Sequence, residues 1–259
     1  MATSLPTRHS GQTAVPAGSD GSIVVNCSLD RLRTAQPLAS GTIELLKWLA
    51  VLLMTADHVN LHLLQSQYPV MYAMGRVSLP LFVFVLAYNL AQPQAMENGA
   101  ALRVLERLFP VAVLASLPYM ELNLEMFGWR PLNVLFTLAA GTAIVALIER
   151  PTRQRQILAV LLYAGSGYMV EYDWTGIGLF VCCWHLFRSP DCFWAVSTAM
   201  LLVLLGNINM NQWALAALPV IGLAFVCRLS FPRLRNALYY YYPLHLVAIA
   251  ALRITVFDR

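Results

Sequence analysis

The chain has 259 residues, of which 59% are hydrophobic and only 12% are charged. Soluble globular domains carry about 45–50% apolar and about 25% charged residues, so this composition excludes an ordinary water-soluble domain. The net charge of +4 is small and its basic residues are scattered, which gives no support to nucleic-acid binding. The composition instead predicts an all-α protein, a polytopic bundle of transmembrane helices in a lipid bilayer.

The first 40 residues are rich in Ser, Thr, Gly and Pro and contain no apolar run of signal-peptide length. We predict that residues 1–40 form a disordered cytoplasmic tail and that residues 41–259 form the transmembrane domain. Apolar runs between breakers predict about nine spans. These are 42–63, 70–91, 101–120, 132–149, 156–171, 174–188, 192–206, 212–229 and 237–256.

Basic residues cluster at alternate ends of the predicted spans, and acidic or Asn-rich turns lie at the other ends. Because Lys and Arg near span ends mark the cytoplasmic side, this alternation places the N-terminus in the cytoplasm and the C-terminus outside. An odd number of spans agrees with that orientation. The residues on the basic side are Arg31, Arg33, Lys47, Arg103, Arg107, Arg150, Arg153, Arg155, Arg188, Arg228, Arg233 and Arg235.

The first span holds the largest number of ionisable groups, which are costly in a membrane and therefore indicate function. Lys47 and His58 are eleven residues apart, close to three helical turns, so both side chains project from nearly the same face about 16 Å apart. A cation at the cytoplasmic boundary and an imidazole further in suit a long donor with a phosphate head, with His58 as general base. The alternative is that Lys47 extends to the interface while Asp57 and His58 cap the span.

His62 follows His58 by four residues and faces the same way, which is a spacing that metal ligands use. A third ligand is not evident nearby in the sequence. We therefore predict no metal site.

Three further basic residues are candidates for binding anions. Arg76 opens the second span across the loop from His58, and it is either an interfacial arginine or a partner for an anion or carbonyl inside the bundle. Arg103 and Arg107 are one helical turn apart near the cytoplasmic face, where they either grip phosphates or enforce topology.

Two groups lie later in the chain. Glu171 and Asp173 belong to an acidic outer turn that is suited to an amine-bearing acceptor. His245 follows four consecutive tyrosines, of which Tyr242 is the last, and lies about eight residues inside the last span. A histidine at that depth needs a partner, so it either makes a structural hydrogen bond or belongs to the site.

Six stretches resemble, in order, the TraX family of F-pilin acetylation proteins, and together they cover nearly everything after residue 40. They are Lys47 to His58, Gly75 to Phe82, Arg107 to Tyr119, Leu132 to Gly141, Tyr172 to Gly178 and Tyr239 to Leu246. Any one of these apolar motifs recurs by chance, whereas six in order are specific.

The TraX family in turn resembles a larger group of membrane acyltransferases, whose first helix carries a basic residue, ten intervening residues and a catalytic histidine. Lys47 and His58 fit this pattern, so the resemblance implies that His58 is catalytic. The group also has two arginines three residues apart before an Arg-aliphatic-x-Pro ending. Arg107 matches that ending, but Arg103 lies four residues before it and so departs from the pattern.

The resemblance implies an acetyltransferase of the bacterial inner membrane, with acetyl-CoA as cytoplasmic co-substrate and the N-terminal amine of a membrane-resident pilin subunit as acceptor. His58 would take the proton from the amine or carry the acetyl group briefly. Asp57 is the second catalytic candidate, and because consecutive helical residues point about 100° apart, it would orient a group other than His58. The alternatives are a glycan or lipid-headgroup acceptor, or a non-enzymatic transport or pilus-assembly protein. The other candidates are Lys47, Arg76, Arg103 and Arg107 for the donor, and Asn133, Glu171, Asp173, Tyr242 and His245 for the acceptor.

Overall fold

A computed structural model describes residues 38–127, 130–227, 229–234 and 236–257. Within these ranges the chain is helical and has no strand, and a single isolated bridge pairs Leu132 with Val170. The prediction of an all-α fold is therefore confirmed. Residues 1–37 of the predicted cytoplasmic tail lie outside the described ranges.

The helices follow one another with short connections. They are α1 (Ser40–His62), α2 (Pro69–Gly75), α3 (Ser78–Ala91), α4 (Ala100–Phe127), α5 (Val134–Ile148), α6 (Arg153–Gly167), α7 (Asp173–Arg188), α8 (Cys192–Ile208), a 3-10 turn (Trp213–Ala216), α9 (Ala217–Val226) and α10 (Ala237–Phe257).

Each of the nine predicted segments coincides with a helix or with two consecutive helices. The segment predicted at 70–91 is α2 followed by α3, and together they form the stretch Pro69–Ala91, with a mean hydropathy of 1.8. Among the described residues this stretch alone is both long and apolar enough to cross a membrane. Shorter apolar helices occupy Val134–Ile148, Cys192–Ile208 and Trp213–Val226.

Two predicted segment ends differ from the structure by four residues or more. The segment predicted at 101–120 continues as a helix to Phe127. The segment predicted at 156–171 ends in the structure at Gly167, because the backbone after it leaves the helix to pair with the start of α5. The Leu132 N–H donates to the Met169 carbonyl at 2.7 Å, and the Glu171 N–H donates to the Leu132 carbonyl at 2.9 Å. These two bonds hold Glu171 in a turn between α6 and α7, beside the interior of the bundle.

The core lies where α3, α5 and α7 meet. Leu79 and Val83 of α3 are buried with Phe180 of α7, whose side chain is fully excluded from solvent. The Phe180 ring lies directly on α5, since a Cβ added to Gly141 would be only 2.6 Å from the ring. A glycine at this position is what allows α5 and α7 to approach so closely.

Helix α10 packs along α1 and α4, and two polar contacts align it with α1. The Thr55 hydroxyl lies 3.0 Å from the Tyr241 hydroxyl, and the His58 and His245 rings are hydrogen-bonded one turn further along. This pairing of helices from opposite ends of the chain brings His58 and His245 together.

Candidate functional site

A cavity of about 400 Å³ lies between α1, α3, α4, α5 and the start of α10. Three of its lining residues are cations: Lys47 on α1, Arg107 on α4 and Arg233 just before α10. They lie at the end of the cavity that is also lined by Ser40 and Ala100, at the starts of α1 and α4, and by Asn89 and Leu90, at the end of α3. Beyond this end the lining is mainly apolar and reaches Val134 and Tyr242.

Lys47 is not isolated at the cavity wall. Its ammonium group forms an ion pair with Glu44 at 2.6 Å, and Glu44 is 97% buried, with 3% of its surface exposed. Sequence reasoning missed both Glu44 and Arg233. Glu44 precedes Lys47 by one helical turn, which was the available signal. Arg233 was noticed only as a marker of topology.

Lys47 and His58 lie on the same uninterrupted helix, as predicted. Eleven residues at the helical rise of 1.5 Å place them about 16 Å apart along the axis. Val51, which lies between them, lines the cavity. His58 does not itself line the cavity. Two residues of α10 connect it to the cavity wall. The ring of Tyr242, which lines the cavity, lies 5.4 Å from the His245 ring between centroids, and His245 contacts His58.

The hydrogen bonds of the two histidines define their tautomers. His245 Nδ1 lies 3.1 Å from the Tyr241 carbonyl oxygen, which only accepts, so Nδ1 must carry a proton. In the neutral ring His245 Nε2 then has a free lone pair, and it lies 3.0 Å from His58 Nδ1. His58 Nδ1 therefore donates, which leaves the lone pair of His58 Nε2 ready to accept a proton.

Asp57 and Arg76 form an ion pair at the same end of α1 as His58. The contact depends on Gly75, because a Cβ added there would lie 2.3 Å from the Asp57 Cβ. The Arg76 guanidinium also stacks on Tyr72 at 4.4 Å and donates to the Asn209 side-chain oxygen at 3.4 Å. Arg76 does not line the cavity with the phosphate-binding candidates Lys47 and Arg107. It lies instead near His58, at the other end of α1.

The structure separates the two arginines at the start of α4. Both side chains are exposed, but Arg107 lines the cavity, whereas Arg103 lies outside it and donates to the Asn98 carbonyl. Arg103 is not positioned to contact a ligand in the cavity.

Among the acceptor candidates, Asn133 is committed to the fold. It is fully buried, caps α5 by accepting from the Leu135 N–H at 3.2 Å, and donates to the Ala112 carbonyl of α4 at 3.0 Å. Its side-chain capacity for hydrogen bonding is therefore used within the protein. Asp173 is exposed at the start of α7, so it does not face the site.

Glu171, in the turn between α6 and α7, faces the interior. Its carboxylate lies near Tyr172 and the start of α5, and it interacts electrostatically with Arg76 and Asp57. Burial raises the pKa of Glu171 to about 7, with the nearby Arg76 opposing the rise. Glu171 therefore changes charge near neutral pH, beside the Asp57–Arg76 pair.

The His62 ring lies 6.2 Å from that of His58, between centroids. Across the described ranges, no group of three or more His, Cys, Asp or Glu side chains is arranged to hold a metal ion.

These features define a class of all-helical proteins in which a cation-lined cavity leads toward a hydrogen-bonded pair of histidines. The model of the TraX protein family matches residues 42–253, and the chain belongs to this family. Protein TraX of Escherichia coli is similar to this chain, with 26% identity over 224 residues that cover 82% of this chain and 87% of that protein. No solved structure matches the chain. The resemblance drawn from the six motifs is therefore confirmed.

Proposed function

We propose that this protein is an acetyltransferase of the bacterial inner membrane that serves conjugation by modifying a pilus subunit. It transfers an acetyl group from cytoplasmic acetyl-CoA to the N-terminal amine of a membrane-resident pilin. One observation carries the proposal: Lys47 at the cation-lined end of a cavity and His58, held in a defined tautomer, lie in phase on one continuous helix. Membership of the TraX family supplies the context of conjugation and pili.

The outer surface of the bundle supports a multi-pass membrane location. Large apolar side chains are exposed along helix faces, whereas soluble monomers rarely expose contiguous apolar patches beyond a few hundred Å². Such faces suit lipid. The exposed residues include Ile157, Leu158, Val160 and Leu161 on α6, and Phe193, Val196, Met200 and Val203 on α8.

The topology has a direct test. Reporter fusions after residues 66, 125 and 259 are expected to report the external side, and those after residues 97, 153 and 233 the cytoplasmic side, because the basic residues alternate in this way. A cytoplasmic signal from the fusion after residue 259 would contradict nine spans.

The donor would bind with its phosphates at the cation-lined end. Lys47, Arg107 and Arg233 line that part of the cavity, and basic side chains bind phosphate through charge-assisted hydrogen bonds. The remaining lining is mostly apolar and suits the donor's extended arm, which would carry the thioester along α1 toward Tyr242 and the histidine pair. The distance of about 16 Å from Lys47 to His58 makes this a site for a long donor.

At the other end, His58 Nε2 accepts a proton from the acceptor amine while the amine nitrogen attacks the thioester carbonyl carbon. The N–C bond forms, the C–S bond breaks, and the proton passes from His58 to the departing sulfur. The products are the acetylated amine and CoA thiol. A route in which His58 Nε2 first carries the acetyl group uses the same lone pair, and His245 supports both routes by holding the His58 tautomer.

The decisive experiment measures the intact mass of the pilin of the same conjugation system, taken from cells that express either the wild-type protein or His58→Ala. We expect one added acetyl group with the wild type and none with His58→Ala, while the variant still accumulates in the membrane. His62→Ala is the matched control and is expected to keep most of the activity. An unmodified pilin together with an acetylated glycan or lipid would favour the alternative acceptors, and the absence of any acetylated product would favour a non-enzymatic role.

A further inference from the structure

Three buried polar atoms around the Asp57–Arg76 ion pair have no hydrogen-bond partner. They are Asp57 Oδ1, which accepts, and Arg76 Nε and Asn209 Nδ2, which donate. Asp57 is 6% exposed and Asn209 only 2%. Buried polar groups are normally paired, because leaving one unpaired costs its lost hydration. One unused acceptor therefore lies in the same cluster as two unused donors.

Glu171 adds a second carboxylate to this cluster, since it interacts electrostatically with both Arg76 and Asp57. With Glu171 ionised, the two carboxylates and one guanidinium sum to a net charge of −1. Buried charge is tolerated when it is balanced, so the cluster favours a ligand with one net positive charge.

We propose that this cluster, made of Asp57, Arg76, Glu171 and Asn209, binds the first residue of a peptide acceptor. The ammonium group donates to Asp57 Oδ1 and to the Glu171 carboxylate. The first peptide carbonyl accepts from Arg76 Nε and Asn209 Nδ2. This inference rests on the proposed function and assigns its acceptor subsite.

The position of the cluster fits that role. Asp57 adjoins His58 in α1, and Arg76 interacts electrostatically with His58. A bound amine is thus held beside the base that receives its proton. The bound ammonium releases one proton to water to become the neutral amine, and the amine gives its second proton to His58 Nε2 as its nitrogen attacks the thioester carbonyl carbon.

A peptide N-terminus suits the cluster better than an aminolipid. Both carry an ammonium group with an acceptor nearby, but a phosphoethanolamine headgroup has no net charge because its phosphate is negative. A peptide N-terminus next to a neutral carbonyl has a net charge of +1 and neutralises the cluster.

The test measures binding by calorimetry to the full chain in nanodiscs, without acetyl-CoA. The probes are trialanine amide, its N-formyl derivative and glycerophosphoethanolamine. We expect trialanine amide to bind at least about tenfold more tightly than the other two probes. Glu171→Gln and Asp57→Asn should each weaken that binding about tenfold, Glu171→Asp should restore part of it, and the exposed control Glu97→Gln should leave it unchanged.

The subsite is overturned if trialanine amide does not bind, if glycerophosphoethanolamine binds more tightly, or if Glu171→Gln leaves the affinity unchanged. Because Glu171 is not an ion-pair partner of Arg76, the Glu171 variants keep the test valid even where Asp57→Asn fails to fold. Amine-dependent binding without any acetylated product would overturn the proposed function and leave the subsite standing. If the protein acetylates the amine but Glu171→Gln leaves the KM for the amine unchanged, the subsite is overturned and the proposed function stands.

Discussion

His58 and His245 are joined by a hydrogen bond of 3.0 Å between Nδ1 of the first and Nε2 of the second, and His245 is itself bonded to the Tyr241 carbonyl. The chain of bonds runs in one direction, from His58 to His245 to the backbone. It fixes both rings and directs one free lone pair, on His58 Nε2, away from the pair. His245 is a positioning residue in this arrangement.

Replacing His245 tests that role. His245→Ala removes the acceptor for the His58 Nδ1 proton, so we expect turnover to fall about 100-fold, within the range for a positioned base. His245→Gln should recover part of the loss, because its amide oxygen can accept from Nδ1. The measurement is kcat and the KM for acetyl-CoA in purified protein, with kcat alone expected to change. Equal kcat in the alanine and glutamine variants would contradict the positioning role.

The affinity for acetyl-CoA should depend on the cations that line the cavity, and Arg107 and Arg103 form a matched pair that tests this. Arg107→Ala and Lys47→Ala should each weaken acetyl-CoA binding about tenfold, or about 1.4 kcal/mol, because each removes a charge-assisted bond to phosphate. Arg233→Ala should act in the same direction, and Lys47→Arg should be milder than Lys47→Ala. Arg103→Ala, one turn from Arg107 but outside the cavity, should leave the affinity unchanged. Binding assays that rank Arg103 with Arg107 would refute this division.

Much of this arrangement was predictable from local sequence. The helices follow from apolar runs between breakers, and the phase of Lys47 and His58 follows from their spacing. The two histidines were identified singly, but their contact was not, because 187 residues separate them and periodicity within a helix carries no information about its neighbours. The ion pair between Asp57 and Arg76 was missed for the same reason.

Asn133 illustrates the opposite error. It lies in a family-like motif, which suggested a role in binding the acceptor, yet its side chain caps α5 and ties that helix to α4. A cap and a ligand contact use the same residue types, so the sequence does not separate them. The cavity residue Arg233 was missed because an arginine near a span end also marks topology.

Gly75 gives a prediction about stability with a matched control. A side chain at Gly75 would overlap Asp57, whereas a Cβ at Gly165, near the end of α6, would have no neighbour within 4 Å. We therefore expect Gly75→Ala to destabilise the protein by about 1–3 kcal/mol through overpacking. Gly165→Ala should be neutral or stabilising by up to about 1 kcal/mol, since alanine favours helix. Thermal unfolding in detergent measures both, and equal effects would show that the contact between Gly75 and Asp57 is not tight.

Binding of an amine beside Glu171 should depend on pH. The pKa of Glu171 is raised to about 7 by burial, so this carboxyl is mostly protonated at pH 6 and mostly ionised at pH 7.5. The groups that face it are Arg76, Asp57 and Tyr172, together with the phenols of Tyr119 and Tyr242.

If Glu171 holds the acceptor ammonium, binding of trialanine amide should be weaker at the lower pH. The free peptide amine has an ordinary pKa of about 7.7–8.0 and is more fully protonated at pH 6, which opposes the effect in part. After allowing for this, we expect the dissociation constant to rise about threefold from pH 7.5 to pH 6. In Glu171→Gln only the protonation of the peptide amine changes with pH, so the dissociation constant should fall slightly from pH 7.5 to pH 6. Because the assay contains no acetyl-CoA, proton transfer during catalysis does not enter the result. If the wild type and Glu171→Gln have the same dissociation constants for trialanine amide at both pH values, Glu171 does not belong to the amine subsite.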